Sequence, residues 1–126
     1  MSEAKFVSRA VRKKDAQALV TGKPVYTGDL VPAGALTVKL LRSSHARAWI
    51  EAIDCTAAMK IPGVVAIYTW QDVPQSRFTT AGQTYPEPSP YDRLILDRQI
   101  RCAGDPVAIV AAETPEAARK ALDRIK

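Results

Sequence analysis

The sequence predicts an α+β domain, a small mixed β-sheet carrying two or three helices. Two apolar runs rich in β-branched and aromatic residues, V-V-A-I-Y at 64–68 and V-A-I-V-A-A at 107–112, read as strands. From Thr114 onward a capping residue, a proline and apolar residues at helical spacing read as a helix. At 126 residues, with 47% hydrophobic and 25% charged residues, the chain fits one domain, able to bury roughly two-thirds of its unfolded surface.

Residues 1–21 are polar, mixed in charge and weakly periodic; they read as an N-terminal arm whose order depends on what it packs against. The domain itself spans 22–126. A short extended stretch, G-K-P-V-Y-T-G-D, occupies 22–29 between glycines, and V-P-A-G at 31–34 is a turn. L-T-V-K-L-L at 36–41 is a strand with Leu36, Val38 and Leu40 on one face and Thr37 and Lys39 on the other. A-R-A-W-I-E-A-I at 46–53 settles on neither period and is read as a strand. Asp54 is placed as the cap of a short helix, C-T-A-A-M-K, that Pro62-Gly63 ends. The strand at 64–68 follows.

From Trp70 to Tyr91 the periodicity dissolves, and four of the nine prolines (Pro74, Pro86, Pro88, Pro90) fall there. A structureless segment of this length, 70–93 at its widest, is uncommon in a compact domain unless it is functional or lies against a partner. It is read as an interface, with Trp70, Phe78, Tyr85 and Tyr91 as candidate subunit contacts, and a disordered linker as the alternative. Residues 94–96, a tight turn at Asp97-Arg98 and the return at Ile100 read as a small hairpin. The strand at 107–112 is apolar on both faces, which predicts a central strand covered on both sides. Thr114 caps the last helix, with Pro115 in its first turn, Glu116 near the dipole, and Ala117, Ala118, Ala121, Leu122 and Ile125 on one face. No Gly, Asn or Pro stop signal precedes Lys126, which reads as a chain cut beside a helix.

Little in the sequence carries chemistry. The net charge is +5 and the isoelectric point about 9.4, but the basic residues are dispersed; the densest cluster, Arg9, Arg12, Lys13 and Lys14, reads as a solvated arm rather than a nucleic-acid site. Cys55 and Cys102 lie far apart without metal-ligand neighbours and are read as reduced core thiols. The first ten residues lack the apolar core of a signal peptide, and no run approaches the ~20 apolar residues of a membrane span, so a soluble cytoplasmic chain is expected. His45, the single histidine, has no carboxylate beside it and reads as a surface residue. A nucleophile at Ser43 or Ser44 would need His45 as base, and adjacent strand side chains point to opposite faces. The glycines form neither a dinucleotide fingerprint nor a phosphate loop, and Asp29, Glu51, Asp54, Asp72 and Asp97 are scattered. Gly104-Asp105-Pro106 can present amides to an anion. Its commoner role is a turn in which Gly supplies the backbone angle, Asp bonds nearby amides and Pro fixes φ. No catalytic, cofactor-binding or metal residue is assigned.

Taken in order, G-K-P-V-Y-T-G-D-L, L-L-R-S-S-H-A-R-A-W-I, D-C-T-A-A-M-K-I-P-G-V-V-A-I-Y-T-W-Q-D-V-P and L-I-L-D-R-Q-I-R-C-A-G-D-P-V-A-I-V-A-A-E-T, followed by an Ala-rich helix, resemble the N-terminal a/b hammerhead domain of the xanthine dehydrogenase and aldehyde oxidase family. The match runs from about Asp15 to the end. Its most specific parts are Arg42 with His45, Pro62-Gly63-Val64 and Gly104-Asp105-Pro106-Val107. Ser44 stands where the family often has proline, and Cys102-Ala103 where an aromatic and an aliphatic residue are usual.

The resemblance implies a subunit that binds a molybdenum pterin cofactor and hydroxylates a purine such as xanthine or hypoxanthine, or an aldehyde, with oxygen from water. Electrons then pass to iron-sulfur clusters and FAD on partner subunits or domains. It places the pterin loops and the basic glutamate downstream of this domain, so the fragment alone is expected to be inactive and cofactor-free. Its partners would be the remainder of its own molybdenum subunit and the iron-sulfur and FAD subunits, with no membrane or nucleic acid. The alternative is a free-standing basic module that binds RNA or an acidic protein.

Overall fold

Residues 10–80 and 90–126 are described in a computed structural model of the chain. The chain divides into two units, Met1–Ala33 and Gly34–Lys126.

The first unit contains a helix, α1 (Ala16–Val20), and a 3-10 turn (Thr27–Leu30). Both replace expectations from sequence. A five-residue helix is too short to register as a period, yet A-Q-A-L-V holds good helix formers. Gly22 ends it at φ +68°, with the Lys23 amide donating to the Ala18 carbonyl at 2.8 Å, a six-to-one closure that a residue with a Cβ resists. The stretch read as extended closes instead because Asp29 accepts the Tyr26 amide at 2.9 Å.

The second unit holds seven elements: β1 (Thr37–Arg42), β2 (Ala48–Trp49), α2 (Thr56–Met59), β3 (Val64–Tyr68), β4 (Gln99–Ile100), β5 (Pro106–Ala112) and α3 (Pro115–Leu122). The strands form a three-stranded sheet of order β1-β5-β3 and a two-stranded ribbon of β2 and β4; each pairing between these strands is antiparallel. The apolar β5 is central, as its composition requires. Thr114 caps α3 by accepting the Ala117 amide at 3.1 Å, and Pro115 occupies the first turn, where its missing amide costs nothing. The link Glu113-Thr114 is so short that α3 folds straight back over the sheet. Ala117, Ala118 and Ala121 then pack on Val110 and Ala112, with Ala58, Val64 and Ile67 alongside. Small residues on the helix bring its axis close to the strands.

The two faces of β1 divide as its period predicts, and register shows which of them the helix covers. Register places Thr37 opposite Ala112 and Lys39 opposite Val110, so Thr37, Lys39 and Leu41 share the helix side. Leu36, Val38 and Leu40 lie on the other face and remain 43%, 58% and 38% exposed. The central strand is thus covered on one side only among the described residues of this unit. Strand period gives two faces and cannot say which of them a later helix will choose.

Three smaller corrections follow. The strand expected over 46–53 is confined to Ala48–Trp49. The hairpin expected over 94–100 does not form: Gln99–Ile100 pairs with Ala48–Trp49, and Arg93 bridges Phe78, so both partners are distant in sequence. The capping position before α2 is Cys55 rather than Asp54, although the Asp54 carboxylate accepts the Thr56 amide at 2.9 Å.

Candidate functional site

Asp105 is the hub of the turn that leads into β5. One carboxylate oxygen, Oδ2, accepts the amides of Arg101 at 2.8 Å and Cys102 at 3.1 Å; the other, Oδ1, accepts from the Cys102 thiol at 3.1 Å and lies 3.6 Å from Arg93 Nη1. The Arg101 amide, then the thiol, hold the carboxyl below the usual carboxylate range, and the same carboxylate pushes the Cys102 thiol up. A thiol shifted upward is the opposite of an activated nucleophile. Burial, followed by the charges of Asp54 and Asp72, pushes Cys55 up as well. Cys102 is exposed and Cys55 half-buried, which corrects the expectation that both are core thiols.

The turn is tied to the end of β1. Gly104, at φ +93°, donates its amide to the Ser43 carbonyl at 2.8 Å, the Ser43 amide donates to the Asp105 carbonyl at 2.9 Å, and Arg42 Nη1 donates to the Gly104 carbonyl at 2.8 Å. No neighbouring atom lies near a Cβ built at Gly104, so the backbone angle is what calls for glycine there. The backbone amides of Arg101, Cys102, Gly104 and Asp105, which an anion would use, already have acceptors in the turn or at the end of β1. The adjoining cavity, lined by Arg93, Asp97, Arg101 and Asp105 among others, is about 30 Å³, room for one water. The geometry is that of a structural clasp.

Around it, Arg101 donates to the Asp92 carbonyl at 2.7 Å and pairs with the Asp97 carboxylate at 3.3 Å. His45 is exposed; the Ser43 hydroxyl accepts its backbone amide at 3.0 Å and donates to its carbonyl at 3.2 Å, so the contact runs to His45 main chain, not to its ring.

The described residues of the segment read as an interface carry more hydrogen bonds than its composition suggested. Thr69 donates both its amide and its hydroxyl to Asp72 Oδ2 at 2.7 Å, the hydroxyl contributing most to a carboxyl held below its usual range. Gln75 Nε2 donates to the Trp70 carbonyl at 2.7 Å. Phe78 and Arg93 exchange backbone hydrogen bonds. Trp70 is half-buried, Phe78 is 38% exposed and Tyr91 is 65% exposed; Tyr85 lies outside the described residues.

Sequence reading missed the residue that organises this region. The Arg98 guanidinium sits 5.4 Å from the Trp49 ring centre and 5.3 Å from that of Trp70, and its Nε donates to the Ile50 carbonyl at 2.7 Å. It joins β2, the end of β3 and the approach to β4. No local spacing links positions 49, 70 and 98, so only the fold brings them together.

Beside β2 an open groove of about 760 Å³ is lined by His45, Trp49, Ile50, Ile100, Ile125 and Lys126 with neighbouring residues. Lys126 is held there by two backbone bonds with Asp54, at 2.8 and 3.1 Å. Its walls mix apolar and polar groups without converging titratable side chains. Among the described residues no three His, Cys, Asp or Glu side chains gather as metal ligands, and two cysteines cannot supply the four thiolates of a usual iron-sulfur cluster. The described residues therefore offer no side-chain cluster that would ligate a metal ion directly. No helix among them is long and apolar enough to cross a membrane.

The second unit is thus a small α+β fold with an antiparallel three-stranded sheet, a helix on one face and a clasped turn before its central strand. The chain belongs to the family described as aldehyde oxidase and xanthine dehydrogenase, a/b hammerhead domain, whose model matches residues 21–126. It is 40% identical over 124 residues to the probable hypoxanthine oxidase XdhD of Escherichia coli O157:H7, covering 98% of this chain and 13% of that protein. It is 42% identical over 111 residues to the putative xanthine dehydrogenase molybdenum-binding subunit XdhA of Escherichia coli K12, covering 85% and 15%. Among solved structures, the aldehyde oxidoreductase of Desulfovibrio gigas superposes with a TM-score of 0.74 at 34% identity, over 90% of this chain and 13% of that one. The chain thus spans about one-seventh of the length of these relatives.

Proposed function

We propose that this chain is the hammerhead domain of a molybdenum hydroxylase subunit and acts there as a structural and docking module. The observation that carries the reading is the family match over residues 21–126 to proteins several times longer. In the whole polypeptide, a molybdenum pterin held by other domains supplies hydroxylation of a purine, or of an aldehyde, with water as the oxygen source. The preference for a purine rests on the names of the hypoxanthine oxidase and xanthine dehydrogenase relatives. Electrons leave through iron-sulfur and FAD partners. The unbonded Cys55 and Cys102 suit a reducing cytoplasm.

Within that assembly we assign Gly104-Asp105-Pro106 the role of a structural turn, supported by the Asp105 carboxylate accepting the Arg101 and Cys102 amides and by the Gly104 amide bonding Ser43. We assign Phe78 and Tyr91 to a subunit contact, supported by their exposure, and give Trp70 the inner role of stacking on Arg98. Incubating the intact polypeptide, assembled with its iron-sulfur and FAD partners and supplied with an electron-accepting dye, with hypoxanthine, xanthine and an aromatic aldehyde in ¹⁸O-labelled water tests the reading. Label in the hydroxylated product is expected from the intact polypeptide and none from residues 1–126 alone. Turnover by the 126-residue chain, or an intact polypeptide inert toward all three substrates, would overturn it.

A further inference from the structure

The sheet face opposite α3 is apolar across all three strands. Register builds two rows on it: Val38 opposite Ala111 opposite Ala66, and Leu40 opposite Ile109 opposite Tyr68. Leu36 extends the patch along β1 by strand period. Val38 is 58% exposed, Tyr68 45%, Leu36 43% and Leu40 38%. The rows carry no charged side chain, although the whole chain has a net charge of +5. A contiguous apolar patch on a soluble domain marks a binding surface, and β5 has the apolar composition of a strand covered on both sides.

We propose that this face is the seat of an apolar segment from the remainder of the chain's own polypeptide. The inference rests on the reading above, that the domain is part of a molybdenum hydroxylase subunit. The absence of charge in both rows disfavours nucleic acid and acidic proteins, which would need the Lys and Arg found elsewhere. A second copy of the domain would also be apolar. However, in relatives the matched region is only 13–15% of a single chain, so most of that chain is covalently tethered to the domain. A tethered occupant has an effective concentration near the millimolar range, far above that of a second copy.

The test is carbene footprinting of the intact polypeptide and of the 126-residue chain, with molybdenum measured on the intact protein and sedimentation on both. Labelling of Val38, Leu40 and Tyr68 is expected to fall to the level of the fully buried Leu96 and Val110 in the intact polypeptide, as for the buried core of an interface. Equal labelling in an intact polypeptide that carries molybdenum would overturn the inference and leave the family reading standing. An intact polypeptide without molybdenum would sink the reading instead. Protection that grows with concentration in the 126-residue chain, and is lost with dimerisation in Val38→Glu, would make a second copy the occupant and overturn the proposal. Should the short chain fail to fold, Val38→Glu and Val38→Thr in the intact polypeptide decide. Seating predicts a lowered melting temperature for the glutamate variant and a smaller loss for threonine; no change with either would overturn it.

Discussion

Arg98 offers the sharpest test of how the second unit is held together. Its guanidinium stacks on both tryptophans of the chain, and Nε reaches the Ile50 carbonyl at 2.7 Å. Two partly exposed cation–π contacts contribute about 0.5–1 kcal/mol each, and the charge-assisted hydrogen bond about 1–1.5 kcal/mol after discounting for its partial exposure. Arg98→Ala is therefore expected to destabilise by about 2–3 kcal/mol. Arg98→Lys keeps the charge but cannot cover two rings and bond Ile50 together, so it should lose about half as much. Because Trp49 and Trp70 are the whole tryptophan content, fluorescence-monitored urea unfolding reads the affected site directly. The emission maximum of the folded variant should move to the red as Trp70 gains water. An Arg98→Ala protein within about 0.5 kcal/mol of the parent, with unchanged emission, would refute the clamp.

Other outcomes follow from the same contacts. The Asp105 carboxyl has a depressed pKa in the folded chain, so its contribution is present above the unfolded value near 4 and is lost as pH falls through the folded one. Asp105→Asn should thus destabilise at pH 7, and the gap from the parent should close on acidification in paired thermal melts. Thr114→Ala removes the acceptor for the Ala117 amide and should cost about 1 kcal/mol in urea unfolding, with the helical signal of α3 weakened. Ala118 is fully buried against the sheet, so Ala118→Leu should overpack the helix contact and cost about 1–3 kcal/mol, read as a lower melting temperature.

The legible parts of the fold were those decided locally. β3 and β5 declare themselves through β-branched residues, and α3 through Thr114, Pro115 and its apolar spacing, because cap chemistry and side-chain period act within a few residues. The ribbon of β2 and β4 was not legible, since two-residue strands carry no period and Ala48 meets Ile100 only through the tertiary fold. That the face of Leu36, Val38 and Leu40 stays open was not legible for a related reason. A strand alternates faithfully, but the side that is buried depends on how α3 returns after Glu113 and Thr114. At the clasp, Gly104, Asp105 and Pro106 announced a turn by residue type, whereas the Arg42 and Ser43 contacts that tie it to β1 are long-range. Arg98 passed as a turn residue because both of its aromatic partners are remote in sequence.

The central claim is that these residues work as one domain of a molybdenum hydroxylase subunit. The most direct measurement is the size and molybdenum content of the native gene product, captured through an antibody raised against residues 34–126. A polypeptide several times longer than 126 residues, carrying molybdenum in stoichiometric amount, is the expected result. A product of 13.7 kDa without molybdenum would contradict it.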